Sequence, residues 1–182
     1  MVTALGLPAI QRVTYQKATS TTRKFIGLIR TIRNDSILLN SMHRLVLDLD
    51  KKTWWVEMQN AFQLLEEPGE QPEKKSNGKK KGKGREEAPR SSFSISEKFS
   101  KEPVDMPAGV EFAGVLKEKE GYIRQGTVAI HFFPNGFNDQ AILHLKRSAD
   151  EKIAFSLVLR PNSGRVELFR EQVNSFDVVP TP

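Results

Sequence analysis

Cysteine is absent from the 182 residues of this chain, which excludes disulfides, thiolate metal ligands and a cysteine nucleophile. Histidine is scarce, and the three that occur (His43, His131 and His144) do not form a His-x-x-x-His or HExxH metal motif. No apolar run reaches the roughly 18 residues that a membrane-spanning helix needs. These absences remove thiol chemistry and the common helical metal sites from the candidate functions.

Motifs of catalysis are missing as well. The sequence has no G-x-S-x-G nucleophile elbow, and its Gly- and Lys-rich stretch lacks the serine or threonine of a phosphate-binding loop. Asp48, Asp50 and Glu57 are predicted to share one β-hairpin, where they are expected to form a solvated carboxylate face. We therefore expect no enzymatic activity and no cofactor.

The positive charge is concentrated in one segment. The chain has a net charge of +6, with 38% hydrophobic and 27% charged residues, which is typical of a globular protein. Residues 74–85 contain six lysines, one arginine and no acidic residue, and outside them 21 basic residues stand against 22 acidic ones. The segment lies within 66–92, where large apolar residues are nearly absent, so we predict a flexible loop there.

A long amphipathic helix is predicted from Gln11 to about Asn40. Apolar residues recur there at steps of three and four, which is the spacing of one helical face. About thirty helical residues would measure about 45 Å, so the first part is expected to project from the body. The residues expected to anchor the helix to a sheet are Phe25, Leu28, Ile29, Ile32 and Leu39.

After Arg44 the apolar period changes to two, which indicates strands. Leu45, Leu47 and Leu49 alternate with Arg44, Val46, Asp48 and Asp50, and a turn at 50–52 leads to Trp54 and its alternating neighbours. Further strands are predicted at Phe93–Phe99, Val110–Leu116, Gly126–Phe133, Ala141–Arg147, Ile153–Arg160 and Arg165–Phe169.

These segments predict an α+β fold in which one long N-terminal helix packs on about eight antiparallel strands, arranged in two small sheets. We interpret 1–182 as a single domain. It would consist of a helix at 1–42, a first hairpin at 44–65, the Lys-rich loop at 66–92 and the remaining strands at 93–182.

Three stretches resemble a known family. They are VTALGLPAIQ at the start, KFIGLIRTIRNDSILLNSMHRLVLDLDKKTWWVE, and VAIHFFPNGFNDQAILHL followed by AFSLVLRPNSGRVELF. In this order and spacing they resemble the H-type minor pseudopilins of type II secretion, the GspH/FimT-like pilin domain. The Lys-rich segment is an insertion that this family does not require.

The resemblance implies a structural subunit at or near the tip of a periplasmic pseudopilus that takes part in protein export. Its partners would be other pseudopilins or pilins, and also exported proteins. An apolar half-helix of roughly 20 residues, absent from the given chain, would anchor it in the bacterial inner membrane with its head in the periplasm. Without that half-helix the given chain is expected to be soluble. Filament or helix–helix contacts are expected at Leu5, Leu7, Ile10 and Val13.

Two aromatic residues are candidates for partner contacts. Trp54 and Trp55 are adjacent and must point to opposite faces of a strand, so we expect Trp54 inside and Trp55 either beneath the loop or at a partner. Phe137 follows the Pro134-Asn135-Gly136 turn. The core is the favoured position for Phe137, and an exposed partner contact is the alternative.

Two alternative functions remain open at this point. In the first, a FimT-like minor pilin of a type IV pilus binds DNA through the phosphate contacts of a basic loop. The polyanion-binding residues would then be Lys74, Lys75, Lys79, Lys80, Lys81, Lys83 and Arg85. DNA binding is the less favoured alternative, because the segment has no aromatic residue for base stacking and is flanked by glutamates. The second alternative is a soluble adaptor with no filament connection.

Overall fold

The computed structural model of this chain describes residues 7–59, 93–107, 109–148 and 152–178, and ahead of Ala18 it describes the side chain of Gln16 alone. These residues form one helix, α1 (Leu7–Leu38), and ten strands. The strands are β1 (His43–Asp48), β2 (Thr53–Gln59), β3 (Phe93–Ile95), β4 (Val104–Asp105), β5 (Val110–Lys117), β6 (Gly121–Ile123), β7 (Thr127–Phe132), β8 (Ala141–Arg147), β9 (Ile153–Leu159) and β10 (Val166–Phe169).

The 32 residues of α1 extend about 48 Å at 1.5 Å per residue. Pro8 lies in the first turn, where a backbone N–H would have no helical acceptor. The absence of this N–H in proline therefore costs no hydrogen bond. The helix ends because Asn40 adopts a positive φ of 46°, while the Ser41 N–H donates to the Ser36 carbonyl at 3.2 Å. In the described ranges no helix has both the length and the apolarity that crossing a membrane requires.

One face of α1 is packed against the strands. Phe25, Ile29 and Ile32 are buried at intervals of three and four residues, as predicted, and Leu28 is partly buried beside them. The prediction for Leu39 is wrong, because it follows the last helical residue and is 56% exposed. Leu39 still donates its backbone N–H to the Asp35 carbonyl at 2.9 Å, and the left-handed residue Asn40 follows it.

The first sheet has the strand order β3-β2-β1-β7, and β4 pairs with β2 beyond the end of β3. Its centre is the predicted hairpin of β1 and β2, in which Leu45 pairs with Val56 and both are fully buried. The hairpin turn is fixed by Asp48, whose Oδ1 accepts the Lys51 N–H at 2.8 Å, and by a positive φ of 58° at Lys52. The strand predicted at Phe93–Phe99 is shorter, ending at Ile95.

The second sheet has the order β10-β9-β8-β5-β6, and every pairing in it is antiparallel. The two antiparallel sheets under one helix confirm the predicted α+β architecture. Two strands were not predicted: β4 has two residues and β6 has three, too few to display an alternating pattern. β6 begins at Gly121, which has a positive φ of 75°.

The chain after β10 covers the outer face of the second sheet without forming a strand. Val173 is buried there against Ile142 and Val158, and Phe176 and Val178 pack at the edge of this second apolar cluster. Arg160 holds the segment down through hydrogen bonds to the carbonyls of Phe176 and Val178. The second sheet is therefore covered on both faces, by α1 on one side and by this segment on the other.

The helix-on-sheet packing gives a stability prediction. We expect Ile32→Asp to lower the free energy of unfolding by about 4 kcal/mol or more, because it places an unpaired charge in a fully buried position. Leu39→Asp is the matched control. It should cost at most about 1 kcal/mol, the penalty of an anion near a helix C-terminus. Urea unfolding of both variants measures the difference, and equal costs would contradict this packing.

Candidate functional site

The exposed face of α1 is basic. The helix contains six basic residues and one acidic residue, Asp35, whose buried carboxylate pairs with Lys98 at 2.7 Å. Arg23, Lys24 and Arg30 are exposed on the side away from the sheets. Since no acidic side chain of the helix balances them, this face is suited to contact a partner of negative charge.

Large apolar side chains are exposed where α1 ends. We call Ile37, Leu38, Leu39 and Phe137 the helix-end patch; their exposed fractions are 42%, 79%, 56% and 45%. The core position favoured for Phe137 is therefore wrong. A sequence signal for this patch exists, because three consecutive apolar residues cannot all lie on one buried helical face. Contiguous exposed apolar surface of this kind is typical of interaction sites.

Arg33 joins the end of α1 to two turns. Its Nε donates to the Gly136 carbonyl at 2.9 Å, and its side chain also lies against Gly164. Gly136 and Gly164 have positive φ values of 83° and 60°, and a Cβ added to Gly164 would be 2.0 Å from Arg33 Nε. Ser36 Oγ approaches the Phe133 carbonyl at 3.1 Å, next to this contact. The position of the helix-end patch is thus set by Arg33 and the space that the glycines leave for it.

Gly164 provides a test of this contact. Gly164→Ala adds both the cost of a positive φ and a collision with Arg33, so we expect it to destabilise the protein. Gly121→Ala is the control, because Gly121 has a positive φ of 75° but open space around its Cβ position. Urea unfolding should show Gly164→Ala to cost at least about 1 kcal/mol more than the control. In an Arg33→Ala background this excess should vanish, and its persistence would show that Arg33 is not the cause.

Trp55 lies on the outer face of the first sheet. The side chain is partly buried, and its Nε1 donates to Glu57 Oε1 at 2.7 Å. Glu57 also forms a salt bridge with Arg44 across the hairpin, and the Arg44 guanidinium lies 4.1 Å from the centre of the Phe93 ring. Trp54 is on the opposite face, with its ring 5.6 Å from that of Phe25, as predicted. A partner could therefore contact Trp55 only through the exposed part of its ring.

Two histidines are structural. His43 and His144 are fully buried. His144 Nε2 donates to the Val173 carbonyl at 2.9 Å and holds the segment after β10 on the sheet. His43 Nδ1 donates to the Ser41 carbonyl at 3.1 Å. Burial lowers the pKa of both imidazoles from the ordinary value of 6.5 and keeps them neutral.

This burial predicts a pH dependence of stability. Below about pH 6.5 the unfolded chain binds protons on both imidazoles that the folded chain does not, so the free energy of unfolding falls as the pH falls. The expected loss is up to about 1.4 kcal/mol per pH unit for each histidine. His144→Gln, which can still donate to the Val173 carbonyl, should remove about half of this slope in urea unfolding between about pH 6.5 and 5.5. An unchanged slope would assign the loss to other groups.

The third histidine forms a pair with a carboxylate. His131 Nδ1 lies 2.8 Å from Asp139 Oδ2, and the same oxygen accepts the His131 backbone N–H at 3.1 Å. Burial raises the pKa of Asp139, but the two hydrogen bonds from His131 outweigh it, so the pKa lies below its ordinary value. The rings of Phe93 and Phe133 flank the imidazole, which makes the pair a strand contact. Across the described residues, no group of three or more acidic or histidine side chains could hold a metal ion.

The predicted carboxylate face is likewise a set of structural contacts. Asp48 accepts the Lys51 N–H, Asp50 accepts the Gly126 N–H at 2.9 Å, and Glu57 is bound to Arg44 and Trp55. Each carboxylate is thus occupied by a neighbour within the fold. This arrangement gives no free acid–base pair on the hairpin.

Several predicted contact residues fall outside what the structure describes. Leu5 precedes the described residues. Leu7, Ile10 and Val13 belong to α1, but the description there covers their backbone and not their side chains. The seven basic residues of 74–85, from Lys74 to Arg85, also lie outside the described ranges. These assignments stay predictions.

Comparison with known proteins gives matches among solved structures. No family model and no curated protein sequence matches the chain. Two solved structures of the minor pseudopilin EpsH from the type 2 secretion system of Vibrio cholerae are similar to it. One has a TM-score of 0.53 at 9% identity, and the match covers 87% of this chain and 99% of the chain in that structure. The other has a TM-score of 0.52 at 10% identity, covering 88% of this chain and 98% of the chain in that structure. At these identities the similarity concerns the fold, and the chain has the fold of an H-type minor pseudopilin.

Proposed function

We propose that this protein is a minor subunit of a pseudopilus that takes part in type II secretion. The observation that carries the proposal is the similarity of fold to EpsH, which extends over almost the whole EpsH chain. The long helix with an exposed basic face and an exposed apolar end supports it, because a filament subunit needs its helix accessible to neighbours. The occupied carboxylates and buried histidines favour a structural role over catalysis.

In this role the first part of α1 would pack among the helices of neighbouring subunits. Leu5, Leu7, Ile10 and Val13 would supply the apolar contacts, and before assembly the subunit would be held in the inner membrane. Transfer from lipid to the filament core has little net cost, because both surroundings are apolar. The head formed by the two sheets would remain in the periplasm.

The head would provide the remaining contacts. The basic face at Arg23, Lys24 and Arg30 would lie against an acidic surface of a neighbouring subunit. Phe137, in the helix-end patch, would bury apolar surface in the same contact. The partly buried ring of Trp55 would meet a partner through its exposed portion. Partners would be other pseudopilins and, at the filament tip, exported proteins.

Photo-crosslinking in the native bacterium tests this proposal. Benzoylphenylalanine replaces Val13 on α1, or Lys119 in the exposed turn between β5 and β6 as the control. We expect ultraviolet light to link the Val13 variant to another pilin-like subunit, identified by mass spectrometry, and the Lys119 variant to give no such product. Deleting the gene should abolish release of the exported protein into the medium.

A secretion role would be contradicted if export were normal in the deletion strain. A contact of α1 with neighbouring subunits would be contradicted if both positions gave the same products. One observation supports the less favoured DNA-binding alternative, namely the positive charge of the segment at 74–85. If the DNA-binding alternative is correct, replacing Lys79, Lys80 and Lys81 with glutamine abolishes DNA binding and leaves the crosslinks intact. If the protein acts only in secretion, the unaltered protein does not bind DNA.

A further inference from the structure

A second basic surface lies far along the sequence from the Lys-rich segment. It is an open cleft of about 830 Å³ at one end of the second sheet, a size within the range of small-ligand sites. Its walls come from β5, β6, the facing ends of β8 and β9, and the first residues after β10. The basic residues in this lining are Arg124, Lys146, Lys152 and Arg170, and the acidic one is Glu171.

Two irregularities in strand pairing border the cleft. The register between β5 and β8 shifts between Phe112 and Gly114, and the register between β8 and β9 shifts between Leu145 and Lys146. Such bulges re-aim the side chains beside them and are common next to binding sites. The second shift lies at Lys146, which is one of the cations of the cleft.

Tyr122 forms a fixed wall of the cleft. Gly114 has no side chain, and a Cβ there would be 2.8 Å from the phenol ring, so the ring of Tyr122 lies directly on the strand backbone. The Tyr122 hydroxyl donates to the Ala113 carbonyl at 3.2 Å, and the buried ring of His144 packs against Tyr122 at 5.3 Å. The Arg124 guanidinium lies 5.0 Å from the centre of the Tyr122 ring, which limits where this cation can be.

Most of the positive charge in the cleft is unpaired. Lys146 is 3.8 Å from Glu111, which also binds Lys52. The other three cations, Arg124, Lys152 and Arg170, are exposed and form no ion pair within the described ranges. The described lining therefore has four positive charges against one negative charge. Asp150 and Glu151, which precede Lys152 in sequence, are outside those ranges.

We propose that this cleft binds a compact ligand carrying two or more phosphate groups. Arginine forks bind phosphate oxygens through two parallel hydrogen bonds, and lysine adds a point charge. Phosphates bring several negative charges into a small volume, which suits a cleft with a net charge of +3 among its described residues, whereas a peptide carboxylate brings one charge per side chain. The proposal is independent of the pseudopilus role, because it rests on a different surface.

Titration calorimetry with sodium tripolyphosphate tests the cleft. The Lys-rich segment could bind the same probe, so all proteins carry glutamine at its seven basic positions, Lys74, Lys75, Lys79, Lys80, Lys81, Lys83 and Arg85. In this background we expect measurable binding, and at least a tenfold loss of affinity in the double variant R124Q/R170Q. The control K101Q/K119Q removes two exposed lysines that do not line the cleft and should change the affinity less than twofold. Both pairs are exposed, and thermal melts confirm that each variant is folded.

Two further arms identify the source of the phosphate. Binding to vesicles of cardiolipin, whose headgroup carries two phosphates, would support the proposal with a lipid headgroup as the ligand, provided that R124Q/R170Q abolishes it and phosphatidylcholine vesicles show none. Tripolyphosphate binding without vesicle binding would support it with a soluble phosphorylated compound as the ligand. The proposal would be overturned by absence of tripolyphosphate binding, by equal losses in the two double variants, or by tighter binding of a hexaglutamate peptide, which would assign the cleft to a carboxylate partner.

Discussion

The apolar face of α1 is the element on which both sheets depend. Phe25 contacts Trp54 of the first sheet and Phe112 of the second, with ring centres 5.6 Å and 5.9 Å apart. Ile29 and Ile32 continue this face and are buried beside strands of both sheets. Since the helix fills the space between the two sheets, losing its apolar face would expose the inner side of each sheet to water.

The packing of this apolar face on the sheets determines which side chains of α1 are exposed to solvent. With the apolar residues turned in, Arg23, Lys24 and Arg30 must face solvent, and the helix ends at Leu38 with the helix-end patch exposed. The contact of Arg33 with two glycine turns holds that patch against the first and second sheets alike. The surface proposed for neighbouring subunits is therefore a direct consequence of how the helix is packed.

The second sheet is stabilised by a different arrangement. Its outer face is closed by an irregular segment, whose backbone groups are satisfied by His144, Ser156 and Arg160. The same segment then supplies Arg170 to the wall of the basic cleft, opposite the bulged strands. Buried polar residues in this sheet thus support the shape of the cleft without touching its ligand space.

The sequence by itself determined the long helix, its buried stripe at Phe25, Ile29 and Ile32, and most of the strands, because helical and strand periods are local properties of the chain. Only the tertiary structure decided that Leu39 is exposed and that His144 is buried, since it sets where the helix leaves the sheets and which segment covers the second sheet. It also brought together the cations of the cleft, which come from four separate segments of the chain. Charges this far apart in sequence become one site only when strand pairing sets their distances.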